Sequence, residues 1–341
     1  MAEPITAIVA IVGGSVASLL GLGSLIVRKQ KREFLAREAR WAALAARLGA
    51  TFSAGRYSSW KMRFGAIALA RDHAAVRIEC YTVSNGDNPI PYTRCQASWA
   101  HGAGPRLAIT KKTFRHRVGD AFGKEDLALG DRAFDAHYAV RCDPSALGWL
   151  VRAGLGGAAL GRFLVGFPTG ELRSDARTLT LAWPGHEADE ARLLTALELV
   201  LGVARAGLEP FRAVASLPDG AVTWPAGPLE DRSAPVGRLA GGGTVATLRF
   251  VDGAYRLEGP VASTLPPFAA RFEGGVPTGE WPRGVLEGLG GELDAMGDAD
   301  VSVDGDRLAL RFVRPPNRRA LQTGTRILAR AAGAPGQGAF R

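Results

Sequence analysis

The sequence predicts an α+β protein: one N-terminal transmembrane helix, then two related β–α–β–β–α units whose sheets are rich in antiparallel pairs. Three observations point there. An uncharged apolar run occupies Ile5 to Val27. Alternating, β-type segments broken by Gly, Pro and Asn clusters fill the region after it. The second half of the chain then repeats the pattern that ends the first.

The apolar run reads ITAIVAIVGGSVASLLGLGSLIV, 23 residues without a charge. At about 1.5 Å per residue it reaches roughly 35 Å, enough to cross a hydrocarbon core of about 30 Å with some tilt. Arg28, Lys29, Lys31 and Arg32 follow at once. A cleaved signal peptide carries its positive charges before a shorter apolar stretch, so an uncleaved anchor over 1–28 fits better. The positive-inside rule sets the short N-terminus outside and the C-terminal region in the cytoplasm, as in a single-pass protein of a bacterial inner (plasma) membrane. The four basic residues are candidate membrane-surface contacts, and residues 5–27 make the lipid bilayer the first expected partner. Gly13, Ala17 and Gly21 form a small-residue stripe at four-residue spacing, a candidate helix-pairing face for self-association.

Residues 29–50 read as an amphipathic juxtamembrane helix. Phe34, Trp41, Leu44, Ala45 and Leu48 recur at helical spacing, Arg32, Arg37 and Arg40 fall elsewhere, and Gly49 is a plausible stop. Such a helix either packs on the following domain as a stalk or lies on anionic headgroups.

A first α+β domain spans 51–207. Its expected strands are Gly65–Ala70, Ala75–Val83, Tyr92–Trp99, Arg106–Thr110, Phe134–Val140, Phe163–Phe167 and Thr178–Trp183, with a short helix after Asp143–Pro144. A long helix over about Ala188–Ala206 closes it, with Gly207 as its C-cap. Residues 208–243 are rich in Pro and Gly and read as an irregular linker. A second α+β domain, a diverged repeat, spans 244–333. Phe134–Gly157 sets against Phe268–Gly291, Leu172–Trp183 against Val301–Phe312, and each half finishes with a helix ending in Ala-Gly, at Gly207 and Gly333. Residues 334–341 read as a loose tail.

The string Gly130, Asp131, Phe134, Asp135, Tyr138, Val140, with the apolar helix and strand–helix ending behind it, resembles a bacterial family of N-terminally membrane-anchored α+β proteins classed as a domain of unknown function. The resemblance covers about Trp41 to Gly207. It implies a fold class and a membrane address, and it supplies no catalytic residues.

Composition bounds the rest. Apolar residues make up 47% and charged residues 22% of the chain, so a core is within reach. Cys80, Cys95 and Cys142 are odd in number and contain no CxxC pair, which argues against a disulfide framework or zinc site. The five histidines form no HxH, HxxH or HExxH pattern, and no GxSxG or Walker sequence occurs. No catalytic, metal-binding or cofactor-binding residue is therefore assigned, and no cofactor is expected. The chain carries a formal charge of +9. Its densest cluster, Lys111, Lys112, Arg115 and Arg117 with His116, is a candidate anion-binding patch. Basic residues do not interleave with aromatics in a recognisable motif, so nucleic acid is not an expected partner. Ser84–Cys95 is a candidate interaction loop. Asp131 reads as a cap or turn residue and Asp135 as a solvent-facing strand residue. The functional expectation is a membrane-anchored, cytoplasm-facing, non-catalytic binding or scaffold module with an unidentified protein partner. The alternatives are an enzyme with a site between the two repeats, or a sensor of anionic lipid surfaces.

Overall fold

The structure, a computed structural model, describes residues 27–58, 63–85, 88–102, 104–112, 127–143, 148–155, 157–167, 169–175, 177–224, 234–241, 244–261, 268–282, 284–304, 306–312 and 314–333.

Helix α1 spans residues 27–48. Strands β1 (Thr51–Ser53), β2 (Ala66–Arg71), β3 (Ala74–Asn85), β4 (Asn88–Ser98) and β5 (Arg106–Lys111) follow. Then come α2 (Arg132–His137), β6 (Tyr138–Asp143), α3 (Gly148–Gly154), α4 (Gly157–Val165), β7 (Glu171–Asp175), β8 (Thr178–Pro184) and α5 (Glu190–Ala204). The second half holds α6 (Glu209–Ala215), β9 (Gly220–Thr223), β10 (Val236–Gly241), β11 (Thr244–Val251), β12 (Ala254–Pro260), β13 (Ala269–Glu273) and β14 (Val276–Gly279). A 3₁₀ helix (Gly290–Met296), β15 (Ala299–Asp304), β16 (Arg307–Phe312) and α7 (Arg318–Ala331) complete it.

The strands form two eight-stranded, wholly antiparallel sheets, ordered β1-β2-β3-β4-β8-β7-β5-β6 and β9-β10-β11-β12-β16-β15-β13-β14. The two orders are the same, strand for strand. The registers agree as well. Leu172 faces Leu181 in the first sheet, and Val301 faces Leu310 in the second, both 129 positions on. From α1 to β3 a second constant offset, 170, relates the halves: Phe52 opposite Ile67 becomes Val222 opposite Gly237, and Ile67 opposite Ile78 becomes Gly237 opposite Leu248. At that offset Trp41 and Leu44 of α1 answer to Phe211 and Val214 of α6, and all four are buried.

This corrects the expected fold class. Each unit is a helix, six strands (interrupted by α2 before the sixth in the first unit), a helical crossover, a hairpin and a closing helix, not a β–α–β–β–α unit. The match of Leu172–Trp183 to Val301–Phe312 is structural. The match of Phe134–Gly157 to Phe268–Gly291 is not, because Phe134 lies in α2 before β6 while Phe268 precedes β13, the counterpart of β5. Phe134–Val140 is not one strand: the Asp131 carboxylate accepts from the Ala133 and Phe134 amides, caps α2, and delays β6 to Tyr138. Phe163–Phe167 is helix α4 and its exit; Phe163 packs edge-on to Trp183, 5.1 Å between ring centres. The stretch 208–243 holds α6, β9 and β10 among its described residues.

The membrane expectation is also corrected. Among the described residues no helix is long and apolar enough to cross a membrane, so the structure supports neither the transmembrane fold class nor a single-pass inner-membrane placement. Of the apolar run, residues 5–26 lie outside the described residues, as do Gly13, Ala17 and Gly21. Helix α1 itself is two-faced. Phe34, Trp41, Leu44 and Ala45 are buried, whereas Arg28, Lys29, Lys31 and Arg32 are exposed. A helix that buries one apolar stripe against a sheet needs no lipid to cover it.

One continuous core joins the units. Helices α5 and α7 pack on the central strands of their own sheets; α3 and α4 pack on α5, α2 on α4 and β6, and α6 and the 3₁₀ helix on α7. Alternate strand residues such as Ile67, Ile78, Cys95 and Leu181 are buried beneath them. Their neighbours point to the other face, which no described helix covers.

Candidate functional site

The open face of the second sheet carries a line of arginines. Arg249 stands opposite Arg256, Arg256 opposite Arg311, Arg311 opposite Asp300, and Asp300 opposite Arg271. These five residues come from β11, β12, β16, β15 and β13. Because adjacent strands lie about 4.8 Å apart, the row crosses roughly 19 Å of sheet. Strand alternation places it outward: Leu248, Leu257, Leu310, Val301 and Phe272, one residue along each strand, are buried. The side chains of Arg271 and Arg311 are 58% and 49% exposed, so the guanidinium groups are open to a partner.

Ion pairs neutralise only part of this row. Asp300 is shared, lying 3.5 Å from Arg271 and 3.3 Å from Arg311. Arg256 pairs with Glu258, which also holds Arg307 at 3.6 Å. Arg271 further meets Glu273 at 3.7 Å. Among the described residues no ion pair holds Arg249. Like charges directly opposite across two strands disfavour the sheet, and here two such arginine pairs adjoin.

The corresponding row in the first sheet is Glu79, Arg94, Ala182, Glu171 and Thr110. It contains one arginine and two glutamates, where the second row contains four arginines and one aspartate. Glu79 is flanked by Arg77 and Arg94, which it pairs, so that face is locally balanced. The same scaffold therefore folds without the arginines.

A second polar group lies beneath α1. The indole of Trp41 donates to the Glu187 carbonyl at 3.0 Å. The Glu187 carboxylate accepts from the Trp183 indole and from the Ala188 and Asp189 amides, at 3.2, 3.0 and 2.8 Å. The Thr93 hydroxyl accepts from the Glu187 amide and donates to the Gly185 carbonyl, and Cys80 Sγ lies 3.4 Å from it. His186 packs on Phe64, 3.9 Å between ring centres, and the Arg37 guanidinium lies over the Phe64 ring, 4.6 Å from its centre. Burial, helped by the Arg37 charge, draws the His186 imidazole down to about 4. Burial pushes the Cys80 thiol up to about 11. This cluster seats α1 on the sheet.

The junction between the units is packed with rings. Tyr255 lies near Trp149, Phe211 and Phe250, and His101 meets Phe250 edge-on at 4.6 Å. Burial holds the Tyr255 phenol far above its ordinary range. The groove between the 3₁₀ helix and α7, about 520 Å³, is lined by Glu292, Asp294, Asn317, Arg319, Gln322 and Arg326, and its Glu292 and Arg326 pair with each other.

The residues singled out from sequence are scattered. Lys111 ends β5 and is exposed; Lys112 follows, its amide donating to the His137 carbonyl at 2.7 Å. Arg115, Arg117 and His116 lie outside the described residues. Lys29 pairs with Glu33 along α1 at 4.0 Å. Asp135 is not a strand residue: its carboxylate accepts from the Leu129 and Gly130 amides and ties the incoming chain to α2. Ser84–Cys95 is no irregular loop but the outer part of the β3–β4 hairpin, which runs on past its counterpart in the second sheet. Cys80 and Cys95 are buried and Cys142 is half-buried; none of the three is in a disulfide, and burial raises each thiol. The arginine row was missed, although an ungapped comparison of the chain with itself at 170 positions sets Glu79 on Arg249 and would have drawn attention to it.

No family model matches this chain, and neither a curated protein nor a solved structure matches it.

Proposed function

We propose that this chain is a non-catalytic binding module in which two copies of one sheet present uncovered faces as docking surfaces. The observation that carries the reading is the one-sidedness of both sheets: helices pack on one face, and the other is lined by exposed charged side chains such as Arg77, Arg173, Arg271 and Arg311. Broad, rigid sheet surfaces position side chains well for recognition.

Photo-crosslinking in the native cell tests it. A crosslinking residue is placed at Arg173 or Arg311 on the open faces, and at Leu194 or Thr195 on α5. Discrete adducts from the face positions and none from α5 are expected. An equal yield from α5, or no adduct from either face, would overturn the reading.

A further inference from the structure

We infer that the open face of the second sheet binds an acidic polypeptide segment through Arg249, Arg256, Arg311 and Arg271. This rests on the binding-module reading and names the ligand class for one of its two faces.

The argument begins with a cost that the fold does not require. Three arginines in successive cross-strand positions repel one another. The equivalent positions in the first sheet hold Glu79, Arg94 and Ala182, and that sheet has the same order and register. Asp300, Glu258 and Glu273 pair three of the four arginines, yet the row remains a departure that the shared fold does not require. An anionic partner converts the repulsion into attraction, because guanidinium groups bind carboxylate and phosphate oxygens in paired fashion.

Two features favour a polypeptide over nucleic acid. Asp300 sits inside the row, between Arg311 and Arg271. A uniform phosphate backbone must place negative charge against it, whereas a peptide can set a neutral or basic residue there. Among the described residues the outward positions of this sheet hold no aromatic ring on which a base could stack. Spacing agrees with a helical partner. Residues at i and i+4 of a helix lie about 5–6 Å apart, close to the strand spacing of about 4.8 Å. An acidic helix laid across the strands therefore meets roughly one arginine per turn.

The test uses the full chain and a fluorescent, alanine-based helical peptide of about 20 residues with Glu at successive fourth positions, except for Lys at the one that meets Asp300. Its Gln version and a DNA duplex of about 20 base pairs serve as comparisons. The variant R249E/R311A installs the residues of the first sheet, and R77E/R173A alters the other face. Binding of the Glu peptide is expected to weaken on the order of tenfold in R249E/R311A. It should be unchanged in R77E/R173A, and should fall as salt rises from about 50 to about 500 mM. Near-ultraviolet circular dichroism confirms that both variants keep the native packing. Equal binding of the Gln peptide, equal binding by R249E/R311A, or tighter binding of the duplex would overturn the assignment. If the peptide fails while Arg311 still crosslinks in cells, the ligand class alone is wrong. If crosslinking from the faces also fails, the binding-module reading falls with it.

Discussion

The hydroxyl of Tyr255 in β12 donates to the carbonyl oxygen of Gly207, 2.5 Å away, and so ties the second sheet to the end of the helix that closes the first unit. Gly207 adopts φ +85°, and a Cβ there would come within 2.6 Å of the same hydroxyl. Tyr255→Phe should cost about 1–2 kcal/mol, since it leaves a buried carbonyl without its donor. Gly207→Ala should cost more, because it adds backbone strain to a steric clash. Urea unfolding of both variants checks the order; a Gly207→Ala protein as stable as Tyr255→Phe would contradict it.

Helices α3 and α5 touch backbone to backbone. A Cβ on Gly154 would meet the Gly202 carbonyl oxygen at 2.5 Å, and one on Gly202 would meet the Gly154 oxygen at 2.7 Å. Gly154 and Gly202 therefore serve close helix approach. Gly202→Ala would ordinarily favour a helix by roughly 1 kcal/mol, but here it should destabilise by about 1–3 kcal/mol through overpacking. Thermal unfolding of the single variants decides the sign.

The His186 imidazole titrates near 4 in the folded chain, against 6.5 when unperturbed. Above that upper value it is neutral in both states and its contribution to stability is complete. As pH falls from about 6.5 toward 4, the unfolded chain takes up a proton that the folded chain refuses, and stability declines. His186→Phe keeps a ring against Phe64 and should remove this part of the pH slope. Urea midpoints measured at several pH values would show it; identical slopes in the two proteins would not be compatible with a depressed His186.

Arg249→Glu puts the residue of the first sheet into the second and replaces repulsion with Arg256 by attraction. It should stabilise the fold by about 0.5 kcal/mol at low salt, less at high salt, in line with exposed cross-strand charge pairs. Denaturation at two ionic strengths measures the effect. Stabilisation by a substitution that also weakens peptide binding would separate the row's binding role from its structural one.

Much of the strand content was legible. The alternation of Ala66–Arg71 and Thr178–Pro184 is that of half-buried strands, and both form strands. The stripe Phe34, Trp41, Leu44, Ala45 and Leu48 read as one apolar helix face that either packs on the domain or lies on headgroups; the first four are buried and Leu48 is half-buried against the core. Other segments misled for identifiable reasons. Phe163–Phe167 is aromatic and Gly-bounded like a strand, yet packing on Trp183 makes it helical. Strands β9 and β10 sit among Gly and Pro because each is short and lies at or next to a sheet edge, where weak β-propensity is tolerated. The functional reading from sequence favoured the dense cluster at Lys111–Arg117, since adjacent charges are visible in a linear chain. Arg249, Arg256, Arg271 and Arg311 follow one another at gaps of 7, 15 and 40 positions, and none stands out.

The sequence by itself determined the inward stripe of some strands, such as Ala246, Leu248 and Phe250 of β11, because side chains alternate about the pleat. It also determined that a pattern recurs, through the paired segments at 172–183 and 301–312. Only the tertiary structure decided which strands are neighbours. Strand β12 pairs with β16 across 46 intervening residues, and β13 pairs with β15 rather than β12. Outward positions carry charge in any solvated sheet, so their period says nothing about their cross-strand partners. Long-range pairing sets that register, and it is what lines up four arginines from four strands on one face.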